Sequence, residues 1–116
     1  MPARPDAAPQ NPEKRPSKTQ TSFYRRLYVA YLIDQGIASV PALIEATGMP
    51  RRTAQDTIAS LAELAIECEF VHAEGERHNS GAYRIRDWGP IDPGWIADHI
   101  DTLALALGYP SVVLTK

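Results

Sequence analysis

Cysteine is almost absent from this sequence of 116 residues, which contains only Cys68. A single thiol excludes an intrachain disulfide framework, so the fold must depend on packing, and a reducing compartment is expected. Long apolar runs are also missing, since every hydrophobic stretch stops short of the ~18 residues that span a bilayer. The proline-rich N-terminus has no apolar segment of the kind found in signal peptides. We therefore expect a cytoplasmic protein with no membrane partner.

Catalytic and metal-binding motifs are lacking as well. The sequence has no nucleophile elbow, no phosphate-binding glycine loop and no metal-ligand helix motif. Cys68 and His72 would lie ~13 Å apart on a strand, too far to share one metal ion. A reactive thiolate needs cationic neighbours, whereas Cys68 is flanked by Glu67 and Glu69. We therefore expect Cys68 to be a small buried hydrophobic residue. The sequence thus predicts no enzyme, no cofactor and no metal.

Charge is small in total but unevenly distributed. The formal net charge is −2. Residues 1–60 carry eight Lys/Arg against five Asp/Glu, whereas residues 61–116 carry four against nine. Neutralisation of phosphates depends on where the cations lie rather than on their sum. The weakly acidic total therefore argues only mildly against non-specific binding of nucleic acid.

The pattern of apolar residues predicts one domain that is mainly α-helical with a small β-hairpin, of the α+β class. A length of 116 residues suits a single small core. Residues 1–20 hold five of the ten prolines and predict a disordered basic tail, either an inert leader or an arm that touches DNA. We assign residues 21–88 to the folded domain and residues 89–116 to a C-terminal helical segment.

The first two helices have recognisable capping signals. Thr21 or Ser22 is expected to cap a first helix that stops at Gly36. This helix is so apolar that it must be covered on more than one side, by the C-terminal segment or by another subunit. Ser39 is expected to cap the second helix, and Gly48 stands where a left-handed residue ends a helix.

A third helix, residues 50–65, and a hairpin, residues 66–87, are predicted next. The helix has one apolar stripe with helical spacing, formed by Ala54, Ile58, Leu61 and Ala65. In the hairpin, apolar residues alternate with charged ones, as half-buried strands require. The expected inward set is Ile66, Cys68, Phe70, Tyr83 and Ile85.

The segment S-V-P-A-L-I-E-A-T-G-M-P-R-R-T-A-Q-D-T-I-A-S-L-A-E-L-A-I, from Ser39 to Ile66, combines a short helix, a glycine turn and a third helix. With the hairpin after it, the chain resembles the winged helix-turn-helix transcription regulators of bacteria over residues 21–88. The positions that match the family pattern are Leu43, Gly48, Thr53, Ile58, Leu61 and Ile66. Three positions depart from it, namely Ile44 where alanine is usual, Ala54 where a branched residue is usual, and Ala65 where glycine commonly closes the recognition helix.

The resemblance implies that residues 50–65 form a recognition helix for the major groove of double-stranded DNA. We expect Arg52 and Gln55 to contact base edges, because Arg pairs with guanine and Gln with adenine. Arg51 and Thr53 suit phosphate groups near the helix N-terminus. Asp56 can accept a hydrogen bond from cytosine, but it can also pair with Arg52 as a solvated surface ion pair.

Other expected DNA contacts surround this helix. Ser60 belongs to a small-residue patch on its outer face, which would let the helix approach DNA closely. The hairpin would be the wing, with its tip in the minor groove; the tip residues are Arg77, His78 and Asn79. Arg25 and Arg26 on the first helix either contact phosphates or serve only as solubilising charges.

The C-terminal segment is predicted to form one helix, capped by Asp92 and running from Trp95 to Leu107. In regulators of the kind that this chain resembles, terminal helices commonly build a two-fold dimer, which spaces two recognition helices by ~34 Å. The expected homodimer interface consists of Trp95, Ile96, Ile100, Leu103 and Leu107. Alternatively, this helix folds back on the first helix within a monomer.

Two functions therefore remain open from the sequence. The first is sequence-specific binding of double-stranded DNA by a dimeric transcriptional regulator, located in the cytoplasm at the nucleoid. The second is a winged-helix module that binds another protein and does not bind DNA. The acidic second half of the chain, together with Asp56 and Glu63, favours the second interpretation.

Overall fold

The described part of the chain consists of three helices, a β-hairpin and two further short helices, in that order. The computed structural model describes residues 17–72 and 81–110. The elements are α1 (Lys18–Asp34), α2 (Val40–Thr47), α3 (Arg51–Ser60), a 3₁₀ turn (Leu61–Leu64), β1 (Glu67–His72), β2 (Gly81–Asp87), α4 (Pro93–Asp98) and α5 (Ile100–Leu107). The described part is mainly helical, with one two-stranded antiparallel sheet, and this confirms the predicted α+β class.

Helix α1 begins earlier than its capping signal at Thr21 predicted. Ser17 is the cap: its Oγ accepts from the Gln20 backbone N at 3.1 Å, and the Gln20 side chain accepts from the Ser17 backbone N at 3.3 Å. This reciprocal capping box satisfies two backbone donors at once, which the hydroxyls of Thr21 and Ser22 do not do here. Residues 17–20 therefore belong to the folded domain, and residues 1–16 of the expected tail lie outside the described residues.

The turn between α2 and α3 follows its sequence signals. Ser39 caps α2 by accepting from the Ala42 backbone N at 3.1 Å, and Gly48 ends it with a φ of 80°, so both predictions are confirmed. Thr47 is buried and fixes the turn from inside. Its hydroxyl donates to the Leu43 carbonyl at 2.7 Å and accepts from the Met49 backbone N at 3.1 Å. The start of α3 is thereby held at a defined angle to α2.

The end of α3 departs from the single helix predicted over residues 50–65. The helix tightens into the 3₁₀ turn after Ser60, and Ala65 then adopts a left-handed conformation with a φ of 64°. Ala65 thus occupies the closing position without being glycine. Gly89 packs against it so closely that a Cβ added to Gly89 would lie 2.2 Å from the Ala65 carbonyl oxygen. The chain after β2 therefore passes directly over this corner.

Helix α1 forms the centre of the core and is covered from two directions. Helix α3 packs on one side of it, while α4 and α5 pack on another. The largest fully buried side chains are Tyr28, Val29, Leu32, Leu43, Leu61, Ile66, Ile96 and Leu103. Of the two expected covers for α1, the C-terminal segment of the same chain is the one observed. No helix within residues 17–72 and 81–110 is long and apolar enough to cross a membrane.

The single C-terminal helix predicted from Trp95 to Leu107 is broken at His99. Asp92 caps α4 as expected, its Oδ1 accepting from the Gly94 backbone N at 2.9 Å. His99 then leaves the helical conformation, with φ −117° and ψ 18°. Its ring stacks on the Trp95 indole with centroids 4.1 Å apart, and its Nδ1 lies 2.7 Å from the Trp95 carbonyl oxygen. These two contacts hold the residue at the break.

The hairpin packs its inner face against the helices. Tyr83 donates its backbone N–H to the Ala38 carbonyl at 2.8 Å, which ties β2 to the segment before α2. Cys68 lies opposite Ile85, and both are partly buried against the core. Burial raises the pKa of the Cys68 thiol, and the nearby Glu69 carboxylate raises it further, although a hydrogen bond from the Arg84 backbone opposes them. Cys68 is thus a packing residue rather than an activated thiolate.

We predict that Ala65→Gly raises the free energy of unfolding by about 0.5–1 kcal/mol, because an alanine in the left-handed region is strained and a glycine is not. Thermal or urea unfolding followed by circular dichroism measures the change. The matched control is Ala62→Gly in the 3₁₀ turn, where added backbone freedom should lower stability by a similar amount. A destabilised Ala65→Gly variant would contradict the assignment of strain to this residue.

We also predict that Cys68 is alkylated by iodoacetamide more slowly in the folded protein than in concentrated urea, because only the thiolate reacts and the folded-state pKa is raised. Because the pKa of Cys68 is higher in the folded than in the unfolded state, its thiol contributes to the free energy of unfolding at pH values below the ordinary thiol pKa. This contribution is lost as the pH rises through the folded-state pKa. Alkylation followed by mass spectrometry over about pH 7 to 10 tests this. Equal rates in both states would refute the burial effect.

Candidate nucleic-acid interface

The outer face of α3 displays the polar residues that the sequence placed there. Arg51, Arg52, Gln55 and Asp56 are exposed, and Thr53 is half-buried. The opposite face is anchored in the core by the fully buried Ala54, together with Ile58 and Thr57. The first two turns of α3 therefore present two guanidinium groups and one carboxamide to solvent.

The N-terminal end of α3 adds backbone donors to this face. Pro50 is its cap residue, and no side chain of the described residues accepts from the first-turn N–H groups. These N–H groups and the helix dipole favour an anion at this end. Arg51 and Arg52 are the first two residues of the helix, so positive charge and open donors coincide.

The ion pair expected between Arg52 and Asp56 is present but loose. Arg52 Nε lies 3.8 Å from Asp56 Oδ2, and the two side chains are 90% and 74% exposed. An exposed pair of this kind contributes about 0.3–0.5 kcal/mol. A two-point contact between Arg and guanine is worth about 1–3 kcal/mol of base discrimination, so the pair does not prevent Arg52 from reaching a base.

Ser60 and Arg26, both expected to face DNA, contact each other. Arg26 Nε donates to Ser60 Oγ at 2.8 Å, and Ser60 Oγ donates to the Thr57 carbonyl at 2.9 Å. Arg26 Nη1 also donates to Ser22 Oγ at 2.8 Å, and Arg26 Nη2 lies 3.6 Å from Glu63 Oε1. The hydroxyl of Ser60 therefore bonds within the junction of α1 and α3, and Ser60 itself is half-buried there. Arg26 is likewise not a solubilising surface charge.

Arg25 borders the same junction but bonds to a different part of the chain. Its Nε donates to Tyr109 Oη at 3.1 Å, so it connects α1 to the segment after α5. Both arginines border an open cleft of about 320 Å³ between α1 and α3, lined by Ser22, Arg25, Arg26, Thr53, Asp56, Thr57 and Ser60. This cleft brings Thr53, a predicted phosphate contact, beside Arg25, which is separated from it in sequence.

The wing is described only at its base. Arg77, His78 and Asn79, the expected tip contacts, lie outside the described residues. On the outer face of the strands, Glu69 pairs with Arg84 at 3.3 Å and with Arg86 at 3.4 Å, so two cations share one carboxylate. The sequence analysis assigned no binding role to Arg84 and Arg86. The alternation of apolar and charged residues along β2 did predict that their side chains point outward.

Two of the expected dimer residues are unavailable to a second copy. Ile96 is 0% exposed and Leu103 is 1% exposed, because both pack against α1 of the same chain. Ile100 and Leu107 are partly buried against the same core. Their assignment to an interface is therefore wrong for Ile96 and Leu103, since periodicity identified an apolar face but not what covers it.

Trp95 differs from these residues because it is exposed. It is 44% exposed and borders an apolar groove of about 270 Å³, here called the Trp95 groove. The groove is lined by Phe23, Leu27, Pro90, Ile91, Asp92, Trp95 and Ile96. Leu105 on α5 is 83% exposed. The exposed apolar surface thus lies at the junction of α1 with α4 and on α5, and no residue of α3 lines the Trp95 groove.

Comparison with known proteins places this geometry in a family. The model of the winged helix-turn-helix family matches residues 18–107. A crystal structure of a DUF2131 family protein from Shewanella amazonensis SB2B superposes with a TM-score of 0.77 and 49% sequence identity, over 82% of this chain and 91% of that chain. A comparison with curated proteins gives no match.

The family match extends beyond the segment that carried the resemblance. It begins with α1 at Lys18 and ends with α5 at Leu107, so the C-terminal helices are included in it. Helix α3 occupies the position of the recognition helix, and β1 and β2 occupy that of the wing. The resemblance seen in the sequence is confirmed, and the chain belongs to the winged helix-turn-helix family.

Proposed function

We propose that this protein binds double-stranded DNA in a sequence-specific manner and acts as a transcriptional regulator at the nucleoid in the cytoplasm. The observation that carries the proposal is the exposure of Arg51, Arg52 and Gln55 on the first two turns of α3. A winged helix presents this end of its third helix to the major groove. The name of the Shewanella protein of known structure gives only its DUF2131 family, so the proposal depends on the chemistry of this surface.

Base contacts are assigned to Arg52 and Gln55. Both side chains are exposed and lie one helical turn apart, so they can reach neighbouring base edges from one groove. Arg offers two donors to guanine, and Gln offers one donor and one acceptor to adenine. Asp56, on the same side, can accept from a cytosine amino group once Arg52 has moved to a base.

Phosphate contacts are assigned to Arg51, Thr53 and Arg25. Arg51 stands at the open N-terminal end of α3, where backbone donors also point at an anion. Thr53 and Arg25 line the cleft between α1 and α3, which is wide enough for a phosphate group. Contacts of this kind fix the orientation of a protein on the duplex and carry no sequence information.

The wing supplies a second contact in the proposal. Residues 66–87 would place the tip residues Arg77, His78 and Asn79 in the minor groove, which accepts narrow basic segments. Arg84 and Arg86 at its base share the carboxylate of Glu69, and Glu67 and Asp87 lie on the same strands. The proposed contact of the wing therefore depends on its tip.

A homodimer completes the proposed regulator. The support is the exposed apolar surface around Trp95 and Phe23, together with Leu105. Exposed clusters of large apolar side chains mark interaction surfaces. Binding to two half-sites requires both α3 helices to face the same side of such a two-fold pair, about 34 Å apart.

The second candidate function is a module that binds another protein and does not bind DNA. The Trp95 groove favours it, because its lining is mostly apolar. Asp56 and Glu63, both exposed beside α3, also favour it because they repel phosphate. A protein partner lost on Trp95→Ala, together with no affinity for DNA, would select this function over the first.

We predict that the protein binds duplex DNA with an affinity that falls steeply as salt rises. Arg51→Ala should weaken binding about tenfold and lower the salt slope by ~0.9, since one phosphate contact is lost. Fluorescence anisotropy at two salt concentrations measures both, using duplexes selected from a random pool. The matched variant is Arg52→Lys, which keeps the charge and should lose preference for the selected sequence. Affinity that is absent at low salt, or insensitive to salt, would exclude the proposal.

We further predict that the protein sediments as a dimer and that Trp95→Ala weakens the dimer at least tenfold, as loss of a large aromatic anchor does. Sedimentation equilibrium over a range of concentrations measures this. Phe70→Ala on β1 is the matched control, because Phe70 is also an exposed aromatic at 37% but lies on the hairpin. A monomer at all concentrations, or equal effects of the two substitutions, would count against this interface.

A further inference from the structure

We propose that Arg26 is a positioning residue that holds the C-terminal end of α3 against α1 and so sets the orientation in which Arg51 and Arg52 meet DNA. The inference rests on the proposed function for its consequence but not for its geometry. It assigns to Arg26 a different role from the phosphate contact expected from its sequence position.

The guanidinium of Arg26 joins three separate elements. Its Nε donates to Ser60 Oγ, on the last residue of α3, at 2.8 Å. Its Nη1 donates to Ser22 Oγ on α1 at 2.8 Å, which fixes the plane of the group from its own helix. Its Nη2 lies 3.6 Å from Glu63 Oε1 in the 3₁₀ turn. All three nitrogens are therefore engaged, and the side chain is only 23% exposed.

The contact is made where α3 changes its geometry. Ser60 is the last α-helical residue, and the chain continues as a 3₁₀ turn directly after it. Such turns are frequent at the ends of α-helices, where the regular i to i−4 hydrogen bonds stop. Ser60 extends the contact by donating to the carbonyl of Thr57, which is 7% exposed, at 2.9 Å. Arg26 therefore adds polar contacts to the C-terminal end of α3, beside the buried side chain of Leu61.

Exposure separates Arg26 from Arg52, which is assigned to a base edge. The side chain of Arg52 is 90% exposed and has one loose partner at 3.8 Å. Arg26 has two hydrogen bonds of 2.8 Å in a fork that a lysine cannot reproduce, because an ammonium is a single point of charge. A phosphate contact tolerates lysine far better, so the two roles predict different results for the same substitution.

The decisive measurement combines hydrogen exchange with DNA binding. In Arg26→Lys and in Ser60→Ala, amide exchange at residues 57–64 should accelerate about tenfold without DNA, since a local constraint is removed. Arg25→Gln is the matched control for exchange only, because the side-chain hydrogen bond of Arg25 goes to Tyr109 and not to Ser60. Unchanged exchange at residues 57–64 in both variants would overturn the inference.

DNA binding supplies the functional arm. Both Arg26→Lys and Ser60→Ala should lower affinity for the selected duplex roughly tenfold while leaving the salt slope unchanged, and their effects should not add in the double variant. A phosphate contact predicts a different result. Arg26→Lys would then bind DNA with wild-type affinity, and only Arg26→Gln would show a salt slope lowered by ~0.9. That result would overturn the proposal. If wild-type protein binds no DNA, the proposed function fails, and the exchange arm still decides whether Arg26 braces α3.

Discussion

The apolar surface of α1 is the constraint on which the rest of the structure depends. The four consecutive residues 27–30 are each at most 2% exposed, although successive residues of a helix point about 100° apart. A helix that is apolar on most of its circumference is stable in water only if other elements cover it on several sides. In this chain α3 covers one side, and α4 with α5 covers another. The C-terminal helices are therefore part of the domain rather than an appendage to it.

This arrangement also determines which part of α3 remains free. Ala54 is 0% exposed and brings α3 close to the core, so the side chains on the opposite face are left in solvent. Thr47 fixes the start of α3 through the turn, and Arg26 contacts its end. Both ends of the helix are thus held by polar contacts, while its face is held by packing. A surface that reads DNA by two-point contacts requires such rigid support, because a small displacement breaks the geometry.

The same packing separates two surfaces of different chemistry. The face of α3 with its neighbouring cleft carries arginines and hydroxyls, whereas the Trp95 groove and Leu105 are apolar. Both surfaces include residues of α1, Arg25 and Arg26 in the cleft and Phe23 and Leu27 in the Trp95 groove.

Local signals in the sequence determined the elements closest to the candidate site. Ser39, Gly48 and the stripe through Ala54 act within a few residues, so they predicted α2, the turn and the outward face of α3 without knowledge of the fold. The alternation of apolar and charged residues likewise predicted the hairpin. Only the tertiary structure decided that Arg26 meets Ser60, 34 residues away, and that Ile96 and Leu103 pack on α1 rather than on a second copy. The physical reason is that periodicity shows which face of a helix avoids water, while its partner is set by how the whole chain packs.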